Sequence, residues 1–282
     1  MEDNVRFYKE PQLIKPIMII GFGGWSNAGN SALKSIDYII EKKGGTLLAK
    51  IDPDSFYQYT QNRPIIAIEE GRLKSVSQTE ITIYYSKNKE GGRDIIFLRA
   101  QEPDYRWNNF VETILNLCKK WDVSLMISLG GMYDDVLHTE SIVSGVYSSE
   151  KWRDVFIKND ISMINYEGPS GIHSLIMEQT KEHSYPFFGL WGHTPLYLRG
   201  TNFRVVIQIV NLLASLFSFS IETSELDSSL KEFEVQIEGI LDQNDELKEH
   251  IEEIKKMRAG EVRKRGTPKV VNIKDFMRPN ES

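Results

Sequence analysis

A glycine-rich turn near the N-terminus holds the first residues that could bind a ligand or do chemistry. The segment reads Gly21-Phe22-Gly23-Gly24-Trp25-Ser26-Asn27-Ala28-Gly29-Asn30 and follows an apolar run. Its glycines let backbone N–H groups come close to a ligand, and the helix that follows would offer an N-terminus that favours anions. The ligand-binding candidates in this glycine turn are Gly23, Gly24, Trp25, Asn27, Gly29 and Asn30.

Three known chemistries begin with a strand, a glycine turn and a helix, and the residues test each of them. Ser26 stands where a dinucleotide-binding fingerprint needs its third glycine. Asn30 stands where a phosphate-binding loop needs its lysine. The spacing Gly24-x-Ser26-x-Ala28 resembles a nucleophile elbow, which raises a serine on a sharp turn. Ser26 is therefore the candidate nucleophile of an enzymatic alternative, with partners among His138, His173, His193 and Asp134.

Further polar residues come just after predicted strands, where ligands bind in open α/β sheets. We expect six of them to meet in one polar cluster, in which Arg106 neutralises carboxylates: Glu102, Asp104, Arg106, His138, Glu167 and His193. Such a cluster would fix the loops and could still accept a small ligand. The ligand-binding candidates outside the glycine turn are Glu102, Arg106, Gly131, Glu167 and His193. Each of these residues could instead have a purely structural role. Ser170, for example, is of a residue type that commonly caps the N-terminus of a helix.

The elements that must position these residues alternate between strands and helices. Short apolar or alternating runs predict strands at 17–20, 46–51, 65–68, 78–87, 94–98, 124–129, 161–166 and 186–190. Helical spacing predicts helices at 32–40, 106–122, 151–158, 170–183 and 202–221. The fold class is therefore α/β, with a mixed, mostly parallel sheet that has helices on both faces. Residues 78–87 and 94–98 are expected to pair as an antiparallel hairpin beside the parallel strands.

The C-terminal third differs in kind from the rest of the chain. Residues 202–221 are apolar on nearly every side, which predicts a helix buried all round, at the centre of the domain or at a subunit interface. Two amphipathic stretches, 226–241 and 247–257, then predict a helical hairpin. We divide the chain into an α/β core domain at 1–221, a C-terminal helical hairpin at 222–260 and a basic, flexible tail at 261–282.

Composition narrows the classes of function. The 282 residues carry a net charge of -6, which argues against a nucleic-acid partner. The single cysteine, Cys118, excludes a disulfide framework and lies on an apolar helical stripe, so it predicts core packing. No uninterrupted apolar span reaches bilayer length, and the acidic N-terminus lacks a hydrophobic signal core. We therefore expect a cytoplasmic protein with no membrane partner, no metal and no cofactor.

An ordered set of short motifs resembles one known family. The motifs are Gly24-Trp25-x-x-Ala28-Gly29, Asp52-Pro53-x-x-Phe56-Tyr57, Arg63-Pro64, Glu102-Pro103-Asp104-x-Arg106-Trp107, Leu129-Gly130-Gly131 with His138-Thr139, Tyr166-Glu167-Gly168-Pro169, and Gly192-His193-x-Pro195-x-Tyr197-Leu198. Together they resemble the proteasome assembly chaperone 2 family, in its bacterial and archaeal branch, over residues 15–254.

The resemblance implies a fold akin to nucleoside phosphorylases, a helical C-terminal appendage and homo-oligomerisation. Eukaryotic relatives chaperone proteasome assembly, and some prokaryotic members have been labelled ATP-grasp or carboxylate-amine ligases. This sequence gives that label no support, since it has no lysine-bearing phosphate loop and no evident acidic pair for magnesium. Archaeal members engage the proteasome through a C-terminal hydrophobic-tyrosine motif. This sequence ends in Asn280-Glu281-Ser282, so it does not predict proteasome docking by that route.

Two functions from different classes remain open. The favoured one is a non-catalytic, homo-oligomeric assembly or scaffold protein with a chaperone-like role and a protein partner. The alternative is a hydrolase or nucleoside-type enzyme that uses the glycine-turn cleft. Geometry separates them, because the enzyme needs a histidine nitrogen within hydrogen-bond reach of the Ser26 hydroxyl and a carboxylate that orients that histidine.

Overall fold

A computed structural model shows one large sheet covered by helices, and it describes residues 4–90, 92–183 and 185–262. The strands are β1 (Val5–Phe7), β2 (Ile17–Gly23), β3 (Thr46–Ile51), β4 (Ile65–Glu69), β5 (Arg72–Ser77), β6 (Ile81–Ser86), β7 (Ile95–Gln101), β8 (Leu125–Asp134), β9 (Val143–Tyr147), β10 (Ser162–Met163) and β11 (Phe187–Pro195). The helices are α1 (Ser31–Lys42), α2 (Trp107–Lys120), α3 (Arg153–Lys158), α4 (Ile172–Glu182), α5 (Phe203–Phe217), α6 (Ser224–Asp242) and α7 (Asp245–Val262).

Nine strands form a mixed sheet in the order β1-β3-β6-β7-β2-β8-β11-β9-β10. The four neighbours β7, β2, β8 and β11 run parallel to one another. Antiparallel pairs flank them, with β6 on β7 at one side and β9 on β11 at the other. The predicted α/β class and mixed sheet are confirmed, and so is the antiparallel pairing of the two strands that we assigned to a hairpin.

Helices cover both faces of this sheet and create two cores. Successive residues of a strand point to opposite faces. Ile19 therefore packs in the core beneath α1 and α5, while Met18 packs in the core beneath α2 and α4. Cys118 lies in the second core with its sulfur 3.6 Å from the Met18 sulfur, and burial raises the pKa of its thiol. The prediction that Cys118 is a packing residue is confirmed.

Helix α5 is shorter and less buried than its composition predicts. Asn202 caps it by accepting a hydrogen bond from the Val205 backbone N–H. Its buried residues pack against α1, α6 and the sheet of the same chain, and they are Val205, Val206, Ile209, Val210, Leu212 and Leu213. Asn211 and Ser215 form an exposed polar strip on the opposite side. The expectation of burial on every side was wrong, because these two polar residues repeat at helical spacing and give the helix a solvent face.

Glycine-rich segments caused the main errors in the strand assignments. Residues 130–134 and 191–195 were expected as loops, but they continue β8 and β11 and pair with each other in register. Neither β5 nor β9 was predicted, and the strand expected at 161–166 contracts to β10. Glycine weakens a strand prediction locally, yet it is favoured in a strand where another backbone approaches closely. A Cβ atom on Gly131 would lie 2.8 Å from the Ala28 backbone nitrogen, which identifies such an approach.

Two helices follow α5 where the amphipathic stretches were predicted. Helix α6 contacts α5 through the Phe203 and Phe233 rings, whose centroids are 6.4 Å apart, and through the ion pair of Arg204 with Glu234. Helix α7 contacts the loop after β11 through His250, whose ring lies edge-on to a tyrosine. Of the predicted basic tail, residues 263–282 lie outside the described residues. Within the described ranges, no helix combines the length and apolarity that crossing a membrane requires.

Candidate functional site

The glycine turn joins β2 to α1 at the C-terminal end of the parallel strands. Gly24 and Gly29 have φ angles of 100° and 60°, in the left-handed region that glycine adopts without a Cβ penalty. The Asn27 side-chain oxygen accepts hydrogen bonds from the backbone N–H groups of Ala32 at 2.9 Å and Leu33 at 3.4 Å. Asn27 therefore caps α1, and Asn30 does not. These N–H groups already have an acceptor, so the turn does not present them to an external anion.

The base of the glycine turn is packed against its neighbours. The Gly131 backbone N–H donates to the Ser26 carbonyl at 2.7 Å, which ties β8 to the turn. Gly29 is buried against Thr194 and Asn202, and a Cβ atom there would lie 2.8 Å from the Asn202 Cβ. Only the tip of the turn, at Gly24 and Trp25, is exposed. The turn thus serves as a packing element with an aromatic residue at its tip.

Ser26 has one of the two partners that a serine nucleophile requires. Its hydroxyl lies 3.1 Å from His173 Nε2, and both side chains are buried. The His173 ring contacts Phe22 and Trp191, and burial lowers its pKa to about 4. Within the described part of the chain, His173 Nδ1 has no hydrogen-bond partner. None of the carboxylates in the described ranges bonds to this nitrogen, so the geometry does not support Ser26 as a nucleophile.

Glu102 lies beside this pair and holds the start of α4. Its Oε1 accepts a hydrogen bond of 2.7 Å from the Ile172 backbone N–H. Partial burial raises the pKa of Glu102, and this hydrogen bond opposes the rise. The residue before α4 is Gly171, which has no capping side chain, so Ser170 does not cap the helix. A carboxylate from the end of β7 takes the role that the sequence assigns to Ser170.

The six-residue polar cluster predicted from the sequence does not form. Asp104 accepts hydrogen bonds from the Gln58 backbone N–H at 2.6 Å and from the Asn62 side chain at 2.8 Å. Arg106 is exposed in a left-handed conformation, and its guanidinium lies 5.8 Å from the Tyr105 ring centroid. None of the ion pairs between described residues includes Arg106. The expectation that Arg106 neutralises carboxylates was wrong, because its side chain is exposed and forms no ion pair among the described residues.

Two other members of that expected cluster also lie apart from it. Glu167 is exposed on the loop before α4. His138 Nδ1 lies 2.8 Å from the Tyr197 hydroxyl, and the His138 carbonyl accepts a hydrogen bond from Arg204. Burial, followed by the nearby Arg204 charge, lowers the pKa of His138. His138 thereby fastens the loop after β8 onto α5 and has no contact with Ser26.

His193 takes part in a continuous hydrogen-bond series across three strands. Its Nδ1 lies 2.7 Å from Asp134 Oδ2, and its Nε2 lies 2.6 Å from the Ser144 hydroxyl. Asp134 ends β8, His193 lies near the end of β11, and Ser144 lies on β9. Two of these residues were candidates from the sequence, but Ser144 was missed because β9 was not predicted. The composition of Val143-Ser144-Gly145-Val146-Tyr147, with its β-branched and aromatic residues, was the signal that could have found it.

A two-stranded ribbon formed by β4 and β5 carries a group of exposed apolar side chains. It leaves the sheet after β3 and returns to it at β6. Five of its large apolar side chains are between 52% and 75% exposed: Ile65, Ile66, Ile68, Leu73 and Val76. Strand β3 runs in the same direction as β2, since β6 is antiparallel to both β3 and β7. The ribbon therefore projects from the same edge of the sheet as the glycine turn.

The described residues offer little to hold a metal ion. Across the described ranges, no three or more His, Cys, Asp or Glu side chains are grouped as metal ligands. His193 and Asp134 are adjacent, but the third member of their series is a serine.

Comparisons with known proteins find one family and several structures. A model of the PAC2 family matches residues 21–241. A PAC2 family protein from Streptomyces avermitilis has a TM-score of 0.74 at 26% identity, over 85% of this chain and 99% of that one. A proteasome-assembly chaperone homologue from Mycobacterium tuberculosis has a TM-score of 0.75 at 22% identity, over 83% and 99%. PbaB from Pyrococcus furiosus, an archaeal proteasome activator, has a TM-score of 0.67 at 15% identity, over 84% and 97%. No curated protein matches this chain.

Proposed function

This chain belongs to the PAC2 family, and we propose that it is a homo-oligomeric, chaperone-like assembly protein that binds other proteins. The names of two structural relatives support an assembly role, since one is a proteasome-assembly chaperone homologue and the other an archaeal proteasome activator. The nucleoside-phosphorylase-like fold and the separate C-terminal hairpin, which the resemblance implies, are part of the same proposal.

The exposed ribbon of β4 and β5 is the observation that carries this proposal. A two-stranded hairpin without a third strand or a covering helix is marginally stable in water. Burying one large apolar side chain contributes about 1.5–3 kcal/mol, so five exposed ones leave a large stabilisation unused in the isolated chain. An exposed apolar patch of this kind marks a protein interaction surface. We assign it to a second copy of this chain.

Exposed aromatic residues offer the surface on the second copy that receives the ribbon. Trp25, Tyr105 and Tyr133 follow or end the parallel strands β2, β7 and β8, and they are 56%, 38% and 47% exposed. They lie at one edge of the sheet, and a ribbon packed on them would bury apolar surface of both copies. The ribbon and the aromatic residues are different surfaces, so this contact is heterologous and produces a ring when its rotation closes.

The glycine-turn enzyme is the weaker alternative. Ser26 lacks a carboxylate behind its histidine, and Asn27 occupies the helix N–H groups that a ligand would need. The apolar residues of α5, which we expected to supply much of a subunit interface, are buried within the chain itself. The interface is therefore proposed at the ribbon instead of α5.

Sedimentation velocity of two matched variants tests the ribbon. Ile66 on the ribbon and Ile157 on α3 are 54% and 56% exposed, so a lysine at either position perturbs the folded monomer to a similar small extent. We expect the wild-type protein and Ile157→Lys to sediment as the same oligomer, and Ile66→Lys to sediment as a monomer, because burying a charge without a partner is costly.

Two results would count against the ribbon as a self-association surface. One is a wild-type protein that sediments as a monomer at micromolar concentration. The other is an Ile66→Lys oligomer of unchanged size and stability. Thermal unfolding of both lysine variants separates loss of the interface from loss of the fold.

A further inference from the structure

A Ser–His–Asp series lies on the sheet face that carries α4, at a distance in sequence from every residue of the ribbon. Ser144, His193 and Asp134 are joined by hydrogen bonds of 2.6 and 2.7 Å. We propose that these residues form a serine acyl-hydrolase site, with Ser144 as nucleophile, that cleaves small neutral acyl esters. This activity goes beyond the proposed assembly function and does not depend on it.

The hydrogen bonds set the direction of proton transfer. The Asp134 carboxylate accepts the Nδ1–H of His193, which leaves the Nε2 lone pair facing the Ser144 hydroxyl. Asp134 is itself held by the Asp135 backbone N–H, which donates to its other oxygen at 2.8 Å. A histidine arranged in this way can take the serine proton while a carboxylate stabilises the resulting imidazolium. Asp134 is the positioning residue of the series, since it acts through His193.

The Ser26–His173 pair provides an internal comparison. Both pairs place a serine hydroxyl within hydrogen-bond distance of a histidine Nε2. Only His193 has a carboxylate on its other nitrogen, whereas His173 Nδ1 is buried without a described partner. An imidazolium at His173 would be a buried, unpaired cation, and burial lowers the pKa of this histidine to about 4. Both serine hydroxyls therefore contact a histidine Nε2, but only the histidine beside Ser144 has a carboxylate that can stabilise its protonated form.

The surroundings of Ser144 indicate which substrates can reach it. Its ladder partner on β11 is Trp191, and both Trp191 and the nearby Val146 are half-buried apolar residues. The side chains of His193 and Asp134 are 12% and 30% exposed, so the site opens to solvent on their side. Ser144 itself is 3% exposed, which limits the site to a small acyl group, and the Asp134 charge disfavours anionic substrates.

The reaction balances with water as the only co-reactant. The Ser144 oxygen bonds to the acyl carbon while its proton passes to His193 Nε2. The ester C–O bond then breaks, and the departing alcohol oxygen takes that proton. Water attacks the acyl–Ser144 ester, gives its proton to His193, and releases the carboxylic acid as Ser144 regains a proton. The net change is ester plus water to acid plus alcohol.

Labelling of the full chain by a fluorophosphonate probe tests the site. We expect one adduct per chain, mapped to Ser144 by peptide mass spectrometry of the wild-type protein, so that the result does not require a variant to fold. Ser144→Ala should lose the adduct, and Ser26→Ala should keep it. We expect the protein to hydrolyse p-nitrophenyl acetate, with the activity lost in Ser144→Ala.

Two variants of Asp134 test its positioning role. Asp134→Asn should slow labelling more than tenfold without a matching fall in melting temperature, because the amide no longer fixes the proton-accepting face of His193. Asp134→Glu should recover part of the rate. An unlabelled wild-type protein, an adduct mapped elsewhere, or labelling that survives Ser144→Ala would overturn the proposal and leave the series as a structural hydrogen-bond network. None of these results bears on the ribbon.

Discussion

Replacing Gly29 by alanine tests whether the glycine turn is a packing element. The position has a φ angle of 60°, and a Cβ atom there would lie 2.8 Å from the Asn202 Cβ and closer still to the Thr194 hydroxyl. Both neighbours are buried, so neither side chain can move into solvent. A left-handed alanine costs about 1–2 kcal/mol, and forcing an extra methyl group into a packed site costs about 1–3 kcal/mol more. We expect Gly29→Ala to lower the free energy of unfolding by about 2–5 kcal/mol.

Gly44 supplies the matched control for this measurement. Its φ angle is 62°, and a Cβ atom there would meet nothing within 4 Å. Gly44→Ala therefore carries the backbone cost of about 1–2 kcal/mol without the packing cost. Urea unfolding gives the loss in the free energy of unfolding for each variant. The difference between the two losses reports the packing cost against Thr194 and Asn202 alone. Equal losses of stability in the two variants would refute the view that tertiary packing, and not only backbone conformation, requires glycine at position 29.

Two further predictions concern residues whose roles changed between sequence and structure. His173 is buried and burial lowers its pKa to about 4, so this side chain binds a proton more tightly in the unfolded chain than in the folded one. The free energy of unfolding therefore contains a contribution from neutral His173 on the order of 3 kcal/mol, which is fully present above about pH 6.5 and is lost as the pH falls towards 4. His173→Gln should remove this part of the pH dependence of unfolding, and a variant with an unchanged pH profile would contradict it. Arg106 is exposed, so Arg106→Ala should leave the melting temperature nearly unchanged, and a drop of several degrees would show that the arginine has a partner on the folded chain.

Local sequence patterns were sufficient for much of the frame around the candidate sites. The apolar run before Gly21, the glycine turn and the helix after it need only neighbouring residues, so the β2–turn–α1 unit could be predicted. Asn27, whose side chain caps α1, belongs to the same local segment. The alternation of strands and helices was enough to predict a sheet with helices on both faces. The ordered motifs were enough to identify the family.

Which residues meet in each candidate site depended on the pairing of strands that are distant in the sequence. Ser144 meets His193 because β9 pairs antiparallel with β11, and Asp134 joins them because β8 continues beyond Gly131. Such a register cannot be read locally, since a shift of one residue would turn each side chain to the opposite face of the sheet.

The sequence by itself determined which residue types were available at the C-terminal ends of the strands, because composition and periodicity are local properties. Only the tertiary structure decided that His173 faces Ser26, that His193 faces Ser144 and that Arg106 is exposed beside Tyr105. The physical reason is that hydrogen bonds and burial act over a few ångströms, while the partners they join here lie 49 and 147 residues apart in the chain.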